Sequence, residues 1–107
     1  MVVEMRSYTL QPGKIASYLK LYEGEGMAIQ KRILGRMVGY YSTEIGPLNQ
    51  VVHMWAYEDL KERAEKRAVL AADPGWQAYV AKMIPMMVTQ ESKILNPAPF
   101  FTPRFAD

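Results

Sequence analysis

Polar and apolar side chains alternate along the first ten residues. In "VVEMRSYTL", residues 2–10, Val3, Met5 and Ser7 fall on one side and Glu4, Arg6 and Tyr8 on the other, which is the period of a β-strand. "QPGK" then punctuates the chain. Ile15, Tyr18, Leu19 and Tyr22 recur at helical spacing, so an amphipathic helix is expected to begin near Gly13. Gly24 and Gly26 would each cost a helix interior roughly 1 kcal/mol relative to alanine. A kink or break is therefore expected at "EGEG", with "MAIQKRIL" as a second helical piece and Gly35 as its terminator.

Two apolar runs of strand length follow, "RMVGYYSTEI" and "QVVHMWAY", joined by "GPLN" as a hairpin turn. "EDLKERAEKRAVLAAD" changes character: Leu60, Ala64, Ala68 and Ala71 form a helical stripe, and Asp59 with Arg63 and Glu62 with Lys66 make opposite charges four apart. Asp73 and Pro74 suit the cap and first turn of the next helix, which carries Trp76, Tyr79, Val80 and Met83 and stops near Pro85. "MVTQESKIL" is the fourth expected strand. Residues 96–107, "NPAPFFTPRFAD", hold three prolines and cannot continue a sheet interior. The order strand, helix, strand, strand, helix pair, strand is the split βαβ of a ferredoxin-like α+β fold: a four-stranded antiparallel sheet with its helices on one face.

With a two- or four-residue turn at Gly46–Asn49, Tyr40 faces Trp55, Ser42 faces His53 and Glu44 faces Val51. One side of the hairpin then holds Met37, Gly39, Tyr41, Val52, Met54 and Ala56, small or apolar enough to pack under helices. The other holds Val38, Tyr40, Ser42, Glu44, Val51, His53, Trp55 and Tyr57; an odd turn or a bulge would shuffle both sets. If the helices take the first side, Tyr8, Tyr40, Trp55 and Tyr57 stand in water. A ring-rich patch of that size demands a partner, and a second copy is the economical one. All three phenylalanines, Phe100, Phe101 and Phe105, lie in the last eight residues, so the tail is expected to dock, on its own chain or across such a dimer.

Composition narrows the function classes. The 107 residues make one domain, 50% hydrophobic and 22% charged, and no apolar run approaches the roughly 20 residues of a membrane span. The charge of +2 comes from 13 basic and 11 acidic residues that are interleaved; Lys31, Arg32 and Arg36 are the sole basic cluster, better suited to a solvated helix end than to nucleic acid. Without cysteine there is no disulfide framework and no thiolate metal site, and one histidine leaves only carboxylates as further ligands. "EGEG" lacks the preceding strand and following lysine of a phosphate loop, and no Ser, His and Asp order reads as a triad.

The candidate chemistry sits on the ring-rich side. His53, the lone histidine, titrates near neutrality and suits a general base oriented by Glu44; the plainer reading is a buried, hydrogen-bonded sheet histidine. Arg6 can hold a ligand carboxylate, or pair internally with Glu4 to fix a dimer register. Eight methionines, including "MIPMM", fit either a deformable pocket or ordinary core filling. The expected ligand site is a cavity lined by Tyr8, Tyr40, His53 and Trp55, with Glu4, Arg6 and Glu44 as polar handles. No catalytic residue and no cofactor is assigned.

"VEMRSYTLQPGK", "LYEGEG", "GYYSTEIGPLNQVVHMWAYEDLKERAEKRAVLAADPGWQAYV" and "ESKILNPAPF" resemble, in order and across nearly the whole chain, the NIPSNAP domain. The resemblance implies a dimeric α+β barrel and hence a homodimer. It implies little about activity, since the family has no established reaction. Other branches of that superfamily are cofactor-independent monooxygenases, haem-degrading enzymes and chlorite dismutase-like proteins. The Asn, Trp and His set of the haem-degrading branch does not map position by position onto His53 and Trp55. Eukaryotic relatives carry a mitochondrial targeting extension ahead of the domain, so a bacterial cytoplasmic protein is expected. Three functions remain open: a small-molecule binder, a cofactor-light monooxygenase or isomerase with His53 as proton shuttle, and a protein-interaction module using the charged helix at 58–72.

Overall fold

The computed structural model describes residues 1–106, so Asp107, the last residue of the expected tail, lies outside the described residues. Four strands, β1 (Val2–Leu10), β2 (Arg36–Ser42), β3 (Gln50–Tyr57) and β4 (Met87–Leu95), form one antiparallel sheet in the order β2-β3-β1-β4. This is the ferredoxin-like arrangement expected from the alternation, with helices packed on one face.

The first helical segment departs from the expected break. α1 (Ile15–Leu21) runs through a π-helical turn, Tyr22–Gly26, directly into α2 (Met27–Leu34). The π turn absorbs "EGEG" by widening the helix, so the chain stays helical through the glycines. Gly26 has a packing reason: a Cβ there would meet the Tyr79 ring at 3.1 Å. Gly35, with φ of 86°, ends α2 in a conformation that side chains with a Cβ rarely adopt.

α3 (Leu60–Ala72) is capped by Asp59, whose carboxylate accepts the Glu62 N–H at 2.8 Å. That side chain is therefore spent on the cap, and the expected Asp59–Arg63 pair does not form; Glu62 and Lys66 do approach, at 3.4 Å. α4 (Pro74–Met83) begins as expected, with Asp73 accepting the Trp76 N–H at 2.9 Å and Pro74 in the first turn. A 3₁₀ turn, Ile84–Met86, leads into β4. Among the described residues, no helix is long and apolar enough to cross a membrane.

The hairpin register differs from the expected one by two residues. Tyr40 pairs with His53 and Ser42 with Val51, while 43–49 form the connection. A register shift between Met37 and Gly39 turns Met37 to the same side as Trp55 and Val38 to the opposite side, so both change membership.

The larger correction concerns which side the helices cover. Tyr8, Val51, His53, Trp55 and Tyr57 are all buried, and Tyr8 and Val51 share a core with Tyr18, Tyr22 and Tyr79 from the helices. A second core joins Trp55 and Tyr57 to Leu34 and Leu70. The ring-rich side is thus the covered one. Large aromatic groups fill the gap between sheet and helices, and the opposite side, with Met5, Val38, Tyr41, Val52 and Met54, faces outward.

The tail docks on its own chain. After β4 it crosses one end of the outward face, where Pro97, Phe101 and Pro103 border an apolar recess of about 290 Å³ with Val3, Val38, Met54 and Leu95. It then reaches β2, where the Ala106 N–H donates to the Met37 carbonyl at 2.7 Å.

Candidate functional site

The side chains singled out from sequence converge, with one exception. Glu4, Arg6 and Tyr8 of β1 stand opposite Trp55, His53 and Val51 of β3, and Tyr40 of β2 flanks His53 on the other side, all on the face beneath the helices. Glu44 is exposed in the hairpin connection, because β2 ends at Ser42; it neither pairs with Val51 nor orients His53.

His53 is 1% exposed and walled by rings. Tyr40 stacks on it with centroids 4.6 Å apart and planes at 13°, while Tyr8 meets it edge-on at 4.9 Å. The Trp55 indole Nε1–H donates to His53 Nδ1 at 2.7 Å. An indole nitrogen can only donate, so Nδ1 is an acceptor and the ring proton of neutral His53 sits on Nε2. Nε2 is buried and has no hydrogen-bond partner among the described residues. Burial, followed by the positive charges of Arg6 and Arg67, lowers the His53 pKa to about 3, so the ring stays neutral through the physiological range.

Beside it lies an ionic knot around Glu4, which is itself fully buried. Its Oε2 accepts from Arg6 at 2.9 Å, Arg63 at 2.7 Å and Ser92 at 2.6 Å, and its Oε1 from the Tyr57 hydroxyl at 3.3 Å. Burial alone would raise this carboxyl. The Arg63 and Ser92 hydrogen bonds, with the charges of Arg6 and Arg67, outweigh it and hold the pKa at about 2. Arg6 also donates through Nε to the Tyr8 hydroxyl at 3.0 Å.

Tyrosines fill the space above the sheet. Tyr18 and Tyr40 share a hydrogen bond of 2.6 Å between their hydroxyls, and the Tyr22 hydroxyl donates to Gln30 Oε1 at 2.6 Å. Burial pushes Tyr18 up to about 12 and Tyr40 and Tyr22 well above that, so these rings remain protonated phenols. The helices reach over β3 and β1, whereas β4 is exposed along nearly all its length. Ser92 and Gln90, paired with Arg6 and Tyr8, therefore mark the open flank of the site.

Arg63, Arg67 and Ser92 act on Glu4 within the candidate site and were missed by sequence reasoning. Arg63 and Arg67 are four apart on α3 and turn toward the sheet, a placement that the interleaved charges of "KERAEKR" do not distinguish from a solvated face.

The chain matches the NIPSNAP family model over residues 3–102. It is 34% identical over 99 residues to human NipSnap homolog 3A, covering 91% of this chain and 39% of that protein. It is 34% identical over 96 residues to a NipSnap homolog of Dictyostelium discoideum, covering 90% of this chain and 42% of that one. The chain thus spans less than half the length of these curated relatives. Solved structures agree over nearly full length: a NIPSNAP-like domain protein from Burkholderia xenovorans superposes with a TM-score of 0.92 at 51% identity, covering 96% of this chain and 90% of that one. A protein from Agrobacterium tumefaciens gives 0.92 at 48%, covering 94% and 96%. An antibiotic biosynthesis monooxygenase superposes at 0.65 with 14% identity over 92% of this chain and 100% of that one, a likeness of fold alone.

Proposed function

This chain belongs to the NIPSNAP family, and on that premise we propose that it binds a small, partly apolar molecule on the helix side of its sheet, around His53, and acts as a homodimer. The observation that carries the binding reading is the His53 Nε2–H: a hydrogen-bond donor, almost fully buried, fixed in its tautomer by Trp55 and left without an acceptor among the described residues. A buried donor without a partner costs on the order of 1–3 kcal/mol, and a ligand carbonyl, hydroxyl or carboxylate that accepts it recovers that loss. Tyr8, Tyr40 and Trp55 supply the apolar walls, Arg6 and Glu4 the polar end, and the open flank along β4 gives access.

The same geometry argues against His53 as a proton shuttle. Nδ1 is already engaged by Trp55 and Nε2 already carries its proton, so the neutral ring offers no free lone pair to a substrate proton. Binding, with His53 as a fixed donor, accounts for the arrangement better than acid–base turnover. The charged helix fits an interaction module poorly: Glu58 and Glu62 are taken by Arg36, and Glu65 by Lys61.

Thermal unfolding across a panel of small carbonyl- and hydroxyl-bearing aromatic molecules tests the reading, because a ligand of the native state raises the midpoint. At least one class should shift the wild type and leave His53→Phe, which keeps ring volume but no donor, unmoved. Equal shifts in both proteins would discard His53 as the centre of the site.

A further inference from the structure

Three of the donors around Glu4 lack acceptors. Arg63 Nε, Arg67 Nη1 and His53 Nε2 are all buried without a hydrogen-bond partner among the described residues. They belong to one neighbourhood: Arg63 bonds Glu4 directly, and Arg67 acts electrostatically on Glu4, His53 and Tyr57. The charge is unbalanced in the same sense. Arg6, Arg63 and Arg67 surround the single carboxylate of Glu4, leaving two positive charges in excess. Acids elsewhere on and beside α3 do not make up the difference, since Glu62 pairs with Arg36 and Lys66, Glu58 with Arg36, and Glu65 with Lys61. A partly buried guanidinium without a counter-charge is costly, and the region is short of both acceptors and negative charge.

We propose that Arg67 and Arg63 of α3, with Arg6 and the His53 Nε2–H, form an anion subsite that takes the carboxylate of a small organic acid. This rests on the ligand-binding reading above and deepens it by naming the ligand's polar end. The planar guanidinium forks match a carboxylate's two oxygens. Trp55, Tyr57 and Tyr8 place ring surfaces beside the charges, so the acid carries an apolar or aromatic body. Free phosphate would use the arginines and gain nothing from those rings.

Titration calorimetry of the full chain, in buffer free of carboxylate and phosphate, distinguishes these cases with three probes: benzoate, its neutral relative benzamide, and inorganic phosphate. Benzoate is expected to bind wild type more tightly than benzamide, with affinity that falls as salt rises. Arg67→Gln is expected to weaken benzoate at least tenfold and leave benzamide unchanged. Arg67→Lys, which keeps the charge and loses the fork, should fold even if the glutamine variant does not, and should bind benzoate less tightly than wild type. Unchanged benzoate affinity in Arg67→Lys and in folded Arg67→Gln overturns the subsite. If benzamide binds as well as benzoate, the anion inference fails while the binding reading stands. Phosphate binding as tight as benzoate, and retained in His53→Phe, overturns the organic acid. Absence of heat with every probe counts against the subsite, and absence of any hit in the wider panel counts against the binding reading itself.

Discussion

At the scale of single residues, the site is defined by what two buried groups do with protons. Both His53 and Glu4 are held below their ordinary values of 6.5 and 4.5, at about 3 and about 2. Unfolded chains therefore bind more protons than native ones wherever pH lies under those ordinary values. Stability is full above about pH 6.5 and is lost on acidification, through His53 between about 6.5 and 3 and through Glu4 between about 4.5 and 2. At roughly 1.4 kcal/mol per pKa unit, each contributes on the order of a few kcal/mol. Denaturant midpoints taken from pH 8 down to pH 4 should fall with pH in the wild type and fall less steeply above pH 5 in His53→Phe; parallel curves would contradict the buried neutral ring. The tautomer has its own readout. Nitrogen-15 shifts should report a protonated Nε2 and a bare Nδ1 across pH 5–8, and Trp55→Phe, which strips Nδ1 of its donor, should cost about 1–3 kcal/mol.

Among the elements, the continuous helix through Tyr22–Gly26 carries a comparison between two glycines of the same π turn. A Cβ on Gly24 meets nothing within 4 Å, so Gly24→Ala should gain up to about 1 kcal/mol from helix propensity. At Gly26 the same methyl presses on the Tyr79 ring, which is buried and set edge-on against Tyr22, so Gly26→Ala should lose stability despite its better propensity. Thermal midpoints of the pair decide it, and equal gains would mean that the ring yields. The strands, the α4 cap and the end of α2 were legible because each has a local signature: period two, an Asp before the first turn, a glycine past the last; the α3 cap was not, since Asp59 also sits four residues before Arg63 and reads as half of an ion pair. The choice of covered face was not. Alternation sorts Tyr40, His53 and Trp55 from Tyr41, Val52 and Met54, but it is symmetric and says nothing of which set the helices take. That choice was made by volume, because the rings fill a layer that the smaller set cannot. The bulge that moves Met37 and Val38 leaves no mark on the local pattern. Glu44 was misplaced for a related reason, since a run of strand-like residues continues past Ser42 where the pairing stops. Six of the seven expected site residues nevertheless met, because sharing a strand face survives a register error of two.

For the molecule as a whole, covering the ring-rich face leaves the opposite face of the sheet as the surface a partner would take. Val38, Tyr41, Val52 and Met54 face outward on a sheet with no helices on that side, and the tail covers only one end. Tyr41 is 59% exposed, and so is Phe101 on the strap, which borders the recess on the same face. Apolar area of this kind, spread over two strands and the strap, is what two copies would bury by laying sheet on sheet, with the helices outermost and each His53 site on the far side from the junction. Met54 sits on the inner strand β3 and borders the recess under the strap, so a charge there opposes a partner laid on this face and also disturbs the recess of its own chain. Wild type should run by light scattering at twice the chain mass of 12.2 kDa. Met54→Glu should fall to the single-chain mass with its helix content intact, because the side chain contributes nothing to the ring-filled core beneath the helices. A wild type that runs as a single chain, or a Met54→Glu variant that stays paired, would leave the outward face without its proposed cover. Since the His53 site is built from the sheet and helices of its own chain, benzoate affinity in the monomeric variant should stay near the wild-type value, which separates the pairing surface from the binding one.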